Sequence, residues 1–67
     1  LEVSVLAVVD GATPTALVRV GGKVHEVVAG NAISLDDKTL KVLAVNAREG
    51  YVELAIGSAK NKRRFKL

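Results

Sequence analysis

Valine, isoleucine and threonine supply 17 of the 67 residues, and they fall in short runs cut apart by Gly, Asp and Asn. β-Branched side chains are stiff at χ1 and pack well on a pleated surface, so such runs specify strands. No segment keeps a 3.6-residue apolar period over three turns, so the chain reads as all-β. A chain of this length forms one small domain, which buries only roughly 60% of the surface that its unfolded form exposes.

The first run, Val3 to Val9, is apolar on both sides, with Val3, Val5, Ala7 and Val9 against Leu6 and Val8. That pattern fits a strand covered twice, or one that pairs with a partner. Asp10-Gly11-Ala12-Thr13-Pro14 ends it, because proline cannot continue a hydrogen-bonded ladder. Thr15–Val20 and Lys23–Val28 are separated by Gly21-Gly22, the strongest hairpin signal in the chain. A type I′ turn needs positive φ at both central residues, and glycine supplies it. Ala29-Gly30-Asn31 then bends the chain so that Ile33 returns to the core, and Leu35-Asp36-Asp37-Lys38 makes a further turn.

Thr39–Asn46 is the fourth predicted strand, with Leu40, Val42 and Ala44 on one side and Leu43 and Val45 on the other. Arg48-Glu49-Gly50 suits a hairpin loop with a left-handed glycine. In Tyr51–Ile56, Val52, Leu54 and Ile56 point inward while Tyr51 and Glu53 point outward. After a loop over residues 57–61, Arg63, Phe65 and Leu67 alternate with Arg64 and Lys66 in a short sixth strand. The expected architecture is a small six-stranded antiparallel sandwich or half-open barrel, a single domain over residues 1–67 without internal repeat or linker.

Composition narrows the function. Cysteine is absent, which removes disulfides, a thiolate metal site and a cysteine nucleophile, and a single histidine makes a dedicated zinc site a poor fit. No enzyme activity, cofactor, metal or small-molecule substrate is expected. No apolar run approaches the ~20 residues a membrane span needs. Because the chain starts at Leu1 and lacks Met, it is expected to be a fragment of a longer protein.

Charge is uneven. Residues 60–67 hold Lys60, Lys62, Arg63, Arg64 and Lys66 with no acid, a formal +5, whereas residues 1–59 hold five bases and seven acids, a formal −2. One reading is a nucleic-acid patch. The preferred one is a solvated last strand whose Phe65 and Leu67 are the buried side, since only Tyr51 and Phe65 are available for base stacking. His25 and Glu26 are adjacent on one strand and point to opposite faces, so they cannot chelate together. Asp36-Asp37 lacks the alternating ligands of a calcium loop, and Gly30-Asn31 lacks the following helix of a phosphate cradle. What remains is an edge argument. Only Glu2 and Asp10, at its ends, discourage the first strand from pairing with another chain, which suits it to β-augmentation.

The segment Thr15-Ala16-Leu17-Val18-Arg19-Val20-Gly21-Gly22-Lys23-Val24-His25-Glu26-Val27-Val28-Ala29-Gly30-Asn31-Ala32-Ile33 resembles a known family. It is the periplasmic homology-region domain shared by the type II secretion C component and the type IV pilus-assembly P lipoprotein. That family passes an apolar strand through a glycine turn into a second strand and then a Val-Gly-Asp-like bend, here Ala29-Gly30-Asn31 followed by Ile33. Its later pattern corresponds to Leu40-Lys41-Val42-Leu43-Ala44-Val45 through Tyr51-Val52-Glu53-Leu54, and its ending to Phe65-Lys66-Leu67. Ala29 and Asn31 depart from the usual Val and Asp.

The resemblance implies a six-stranded sandwich of two small antiparallel sheets, and a non-enzymatic periplasmic domain that is a fragment of a longer membrane-anchored protein of the inner membrane. Its partners would be the N-terminal periplasmic domain of the outer-membrane secretin and other inner-membrane assembly components. The partner-binding residues it implies are Val3, Val5, Ala7, Val9 and Arg19. The alternative is an SH3-like barrel that binds RNA or DNA through Lys60, Lys62, Arg63, Arg64 and Lys66. A third reading is a structural subunit that self-associates through its edge.

Overall fold

A computed structural model describes residues 2–57 and 61–67. The Gly21-Gly22 pair makes the tight turn its sequence demands, with φ of +56° and +86°. It joins β2 (Thr15–Val20) to β3 (Lys23–Val27), and β1 (Val3–Val9) lies on the other side of β2. These three antiparallel strands form the first sheet. The second sheet holds β4 (Ala32–Ser34), β5 (Thr39–Asn46), β6 (Tyr51–Ile56) and β7 (Lys62–Lys66) in that order, also antiparallel. The sheets pack face to face without closing into a barrel, so the all-β sandwich expectation holds.

The strand count is seven rather than six. The added strand, β4, is only three residues long, and Asn31 before it and Ser34 at its end disguise it in the sequence. Its cause is local. Asn31 donates its backbone N–H to the Val28 carbonyl (3.1 Å), and its Oδ1 accepts the Val28 N–H (3.0 Å). With Gly30 at φ +97°, this turn reverses the chain and lays residues 32–34 beside β5. Ile33 is then buried, as expected.

Two β-bulges change which side chains face inward. In β1 the register slips between Val5 and Ala7, and in β5 between Val42 and Ala44. A bulge inserts one residue and so inverts the alternation beyond it. Val3 and Val5 face the core, but past the slip it is Val8 that packs inward, while Ala7 and Val9 turn outward with Leu17 and Thr15. In β5, Leu40 and Val42 are buried and Val45 packs against the core, while Ala44 lies opposite Glu53 on the outer face. The expected grouping of Ala44 with Leu40 and Val42 is therefore corrected, as is the single face of Val3, Val5, Ala7 and Val9.

The core is aliphatic. Val18, Leu40, Val52 and Leu54 are fully buried, with Val20, Val27, Ile33 and Val42 nearly so. Each such side chain contributes about 1.5–3 kcal/mol relative to leaving it in water. No buried side-chain polar atom among the described residues lacks a partner. Leu67 is 68% exposed, against the expectation that it would be buried. It stands one residue past β7, held by its N–H to the Gly50 carbonyl (2.8 Å).

The Gly21-Gly22 turn yields a first test. A Cβ built at Gly22 meets nothing within 4 Å, so the only penalty of Gly22→Ala is the left-handed backbone. It should lower unfolding free energy by about 1–2 kcal/mol in urea denaturation. Gly11→Ala, also in open space and not at positive φ, should be neutral or slightly stabilising.

Candidate docking surface

β1 borders only β2. The Gly21 N–H donates to the Glu2 carbonyl at 3.3 Å, so Glu2 and Gly21 form a hydrogen-bonded pair across the two strands. Such pairs alternate along an antiparallel ladder, which places Ser4 and Arg19 in the next one. The peptide groups of Val3 and Val5, on either side of Ser4, point away from β2. β7 comes close to β1, yet no ladder joins the two. The rim of β1 is therefore open among the described residues. The strand carries no charge from Val3 to Val9, which leaves it without the usual protection of an edge.

The outer face of the same sheet continues from this rim. Cross-strand register sets it out in rows: Ser4, Arg19 and Val24; then Ala7, Leu17 and Glu26; then Val9 and Thr15. Leu6, at the bulge, adds a further apolar side chain. Val9 (59%), Val24 (53%) and Leu6 (39%) are three of the five exposed large hydrophobic residues among those described, and Leu17 and Ala7 are half-buried between them. A small protein normally scatters such residues, whereas contiguity with a polar border marks an interaction site.

Of the five residues expected to bind a partner, Ala7, Val9 and Arg19 share this outer face. Val5 is a core residue and Val3 is half-buried against the core, so these two can offer a partner only their peptide groups. Leu6, Leu17 and Val24 belong to the surface and were missed. The direction of Leu6 is legible only once the bulge is known, whereas Leu17 and Val24 are single apolar residues among Thr15, Arg19 and Glu26 on the outer sides of β2 and β3.

The basic strand lies on the other sheet. Lys62, Arg64 and Lys66 project from its outer face, opposite Ala55, Glu53 and Tyr51, while Arg63 shares the side of Phe65. Lys60 lies outside the described residues. Arg64 Nε donates to Glu53 Oε2 at 3.2 Å, and its guanidinium sits 4.6 Å from the centre of the Tyr51 ring. The Glu53 hydrogen bond first, and then the nearby Tyr51, raise the Arg64 pKa above its ordinary value. Arg63 lies 5.3 Å from the centre of the half-buried Phe65 ring. Both aromatic rings are thus engaged by the protein's own arginines, and neither is bare for stacking on a base.

A cleft of about 540 Å³ opens at the far corner of the sandwich, between β3 and the β4–β5 turn. Val20 and Leu35 form part of its lining, with Lys23, His25, Asp36, Asp37 and Lys38 around it. His25 is half-buried and lies opposite Val18, while Glu26 lies opposite Leu17 on the other face, as their adjacency requires. Leu35 donates its N–H to the Lys38 carbonyl (2.8 Å), so Asp36 and Asp37 are the two residues of a tight turn. No group of three or more His, Cys, Asp or Glu among the described residues is placed to hold a metal.

No family model, no curated protein and no solved structure matches this chain.

Proposed function

We propose that this chain is a non-enzymatic interaction domain that docks another polypeptide on the β1 rim and the outer face of the first sheet. The open rim of β1, continuous with Leu6, Ala7, Val9, Leu17 and Val24, is the observation that carries the reading. An incoming strand would pair with the peptide groups of Val3 and Val5, and apolar side chains beside it would cover the sheet face. The partner follows from the resemblance of the sequence to the periplasmic homology-region family. On that ground the partner is the N-terminal periplasmic domain of an outer-membrane secretin. The domain would belong to the periplasmic part of an inner-membrane protein of a secretion or pilus machine, linking other inner-membrane assembly components to the secretin.

The test is direct titration of the 67-residue chain with that secretin domain, followed by calorimetry or fluorescence. A small patch predicts weak binding, with Kd on the order of micromolar. Arg63→Glu with Arg64→Glu should change that affinity less than about threefold, because neither side chain lies on the docking face. Absence of binding at high concentration by a folded domain would contradict the proposal.

A further inference from the structure

The outer face of the second sheet carries a charge pattern that a docking role for the first sheet does not use. Lys41 on β5, Ala55 on β6 and Lys62 on β7 form one cross-strand row, and Asn46, Tyr51 and Lys66 form another. Lys41, Lys62 and Lys66 are exposed. Two acids lie at this array: Glu53 is held by Arg64 at 3.2 Å, the only salt bridge among the described residues, and Glu49 is bonded to Asn46 at one end. Lys41, Lys62 and Lys66 make no salt bridge to a described residue, so three cations stand on one side of a sheet. Lys41 and Lys62 are two strand spacings apart, about 10 Å, and Lys62 and Lys66 are about 13 Å apart along β7. Between them lie the small Ala44 and Ala55, with Tyr51 covered by Arg64.

This face is broad and lacks a groove. Among the described residues its one exposed large hydrophobic side chain is Leu43, at the β5 bulge beside Ala44, and the others lie on the first sheet or at Leu67. A protein interface normally has an apolar core within its polar border, and a single leucine does not make one. A single-stranded nucleic acid would need open rings for its bases, and Tyr51 and Phe65 are both occupied. A planar anionic surface needs neither. It asks only for several cations on one side of the molecule, with the phosphate charges supplied diffusely.

We infer that the outer face of the β4–β7 sheet rests on an anionic phospholipid bilayer through Lys41, Lys62 and Lys66. The first sheet then faces away from the lipid, so the domain presents its open β1 rim and apolar face outward from the membrane surface. The inference stands independently of which polypeptide occupies that rim. Binding is electrostatic and weak, and salt screens it.

The test is co-sedimentation of the chain with vesicles of phosphatidylcholine alone and with vesicles containing about one-third phosphatidylglycerol. The anionic vesicles should retain the protein at about 50 mM salt and release most of it at about 200 mM, while the neutral vesicles retain none. Each lysine near such a surface contributes roughly fivefold, so Lys41→Gln with Lys66→Gln should weaken binding about thirtyfold. Lys23→Gln with Lys38→Gln removes the same charge away from this face and should change binding less than about threefold. All four lysines are exposed, and an unchanged urea midpoint would show that the variants fold. Equal loss in both pairs would reduce the effect to net charge and overturn the inference. So would retention on neutral vesicles, or tighter binding to a single-stranded oligonucleotide than to anionic vesicles at the same salt.

Discussion

Leu54→Ala should shift the urea unfolding midpoint down by about 2 M or more. Leu54 is fully buried in the middle of β6, flanked in the sheet by Val42 on β5 and Arg63 on β7. Truncating a buried leucine removes its transfer free energy and leaves a cavity, a combined loss of about 2–5 kcal/mol. A domain of this length has a total stability of roughly 3–10 kcal/mol, so the variant is left with little. The midpoint shift follows from a denaturant slope of about 1 kcal/mol per molar urea for so small a chain. Leu43→Ala supplies the comparison. Leu43 is 37% exposed at the β5 bulge and should lose less than about 1 kcal/mol. Equal midpoints for the two variants would mean that the aliphatic layer between the sheets does not set the stability.

The second large effect concerns recognition. Ala7→Asp with Val24→Asp should weaken binding of the secretin domain by more than about tenfold while shifting the urea midpoint little. Both side chains lie on the outer face of the first sheet, on either side of Leu17, and neither belongs to the core. The carboxylate at Ala7 would have to shed its water inside the complex with Glu26, not a cation, in its cross-strand row, and the one at Val24 would draw Arg19 away from the partner. Val5→Asp is the contrast, because Val5 is 8% exposed and packed in the core. It should unfold the domain outright, so loss of binding there would carry no information about the surface. Measuring binding and stability on the same samples separates the two cases. Undiminished binding by the folded Ala7/Val24 variant would remove the sheet face from the interface.

Local chemistry made much of the fold legible. Gly21-Gly22 demanded a hairpin, Gly30-Asn31 a bend, Gly50 a left-handed loop position, and each has the backbone expected of it. The clean alternation of Val52, Leu54 and Ile56 set the orientation of β6 correctly. The bulges were not legible. Where both sides of a strand are apolar, as in Val3 to Val9, a one-residue slip changes the side chain's direction without changing the pattern of hydrophobicity. β1 therefore read as two apolar faces, when Val3, Val5 and Val8 build one and Ala7 and Val9 the other. β4 was hidden for a different reason, since three residues are too few to show a period.

The docking surface was half legible on the same grounds. The absence of charge between Glu2 and Asp10 pointed to β1 as an unprotected edge, and β1 is indeed an edge strand. Which of its side chains point outward depended on the slip. Leu17 and Val24 stand singly among Thr15, Arg19 and Glu26 on their strands, and only the three-strand register gathers them on one face with Ala7. The dense charge at the end of the chain pointed instead to β7. There, pairing with Glu53 and stacking on Tyr51 and Phe65 occupy Arg64 and Arg63, contacts that depend on cross-strand neighbours rather than on charge count.

The most direct measurement of the central claim is residue-by-residue amide NMR during titration with the secretin N-terminal domain. A strand added to the open rim gives the Val3 and Val5 amides a hydrogen-bond partner in place of water, which moves their resonances and slows their exchange with solvent. The account predicts that these two amides respond most, together with Leu17, Arg19 and Val24 on the adjoining face. Changes confined to Lys62–Lys66 or to the β4–β5 turn, with Val3 and Val5 still exchanging freely, would contradict it.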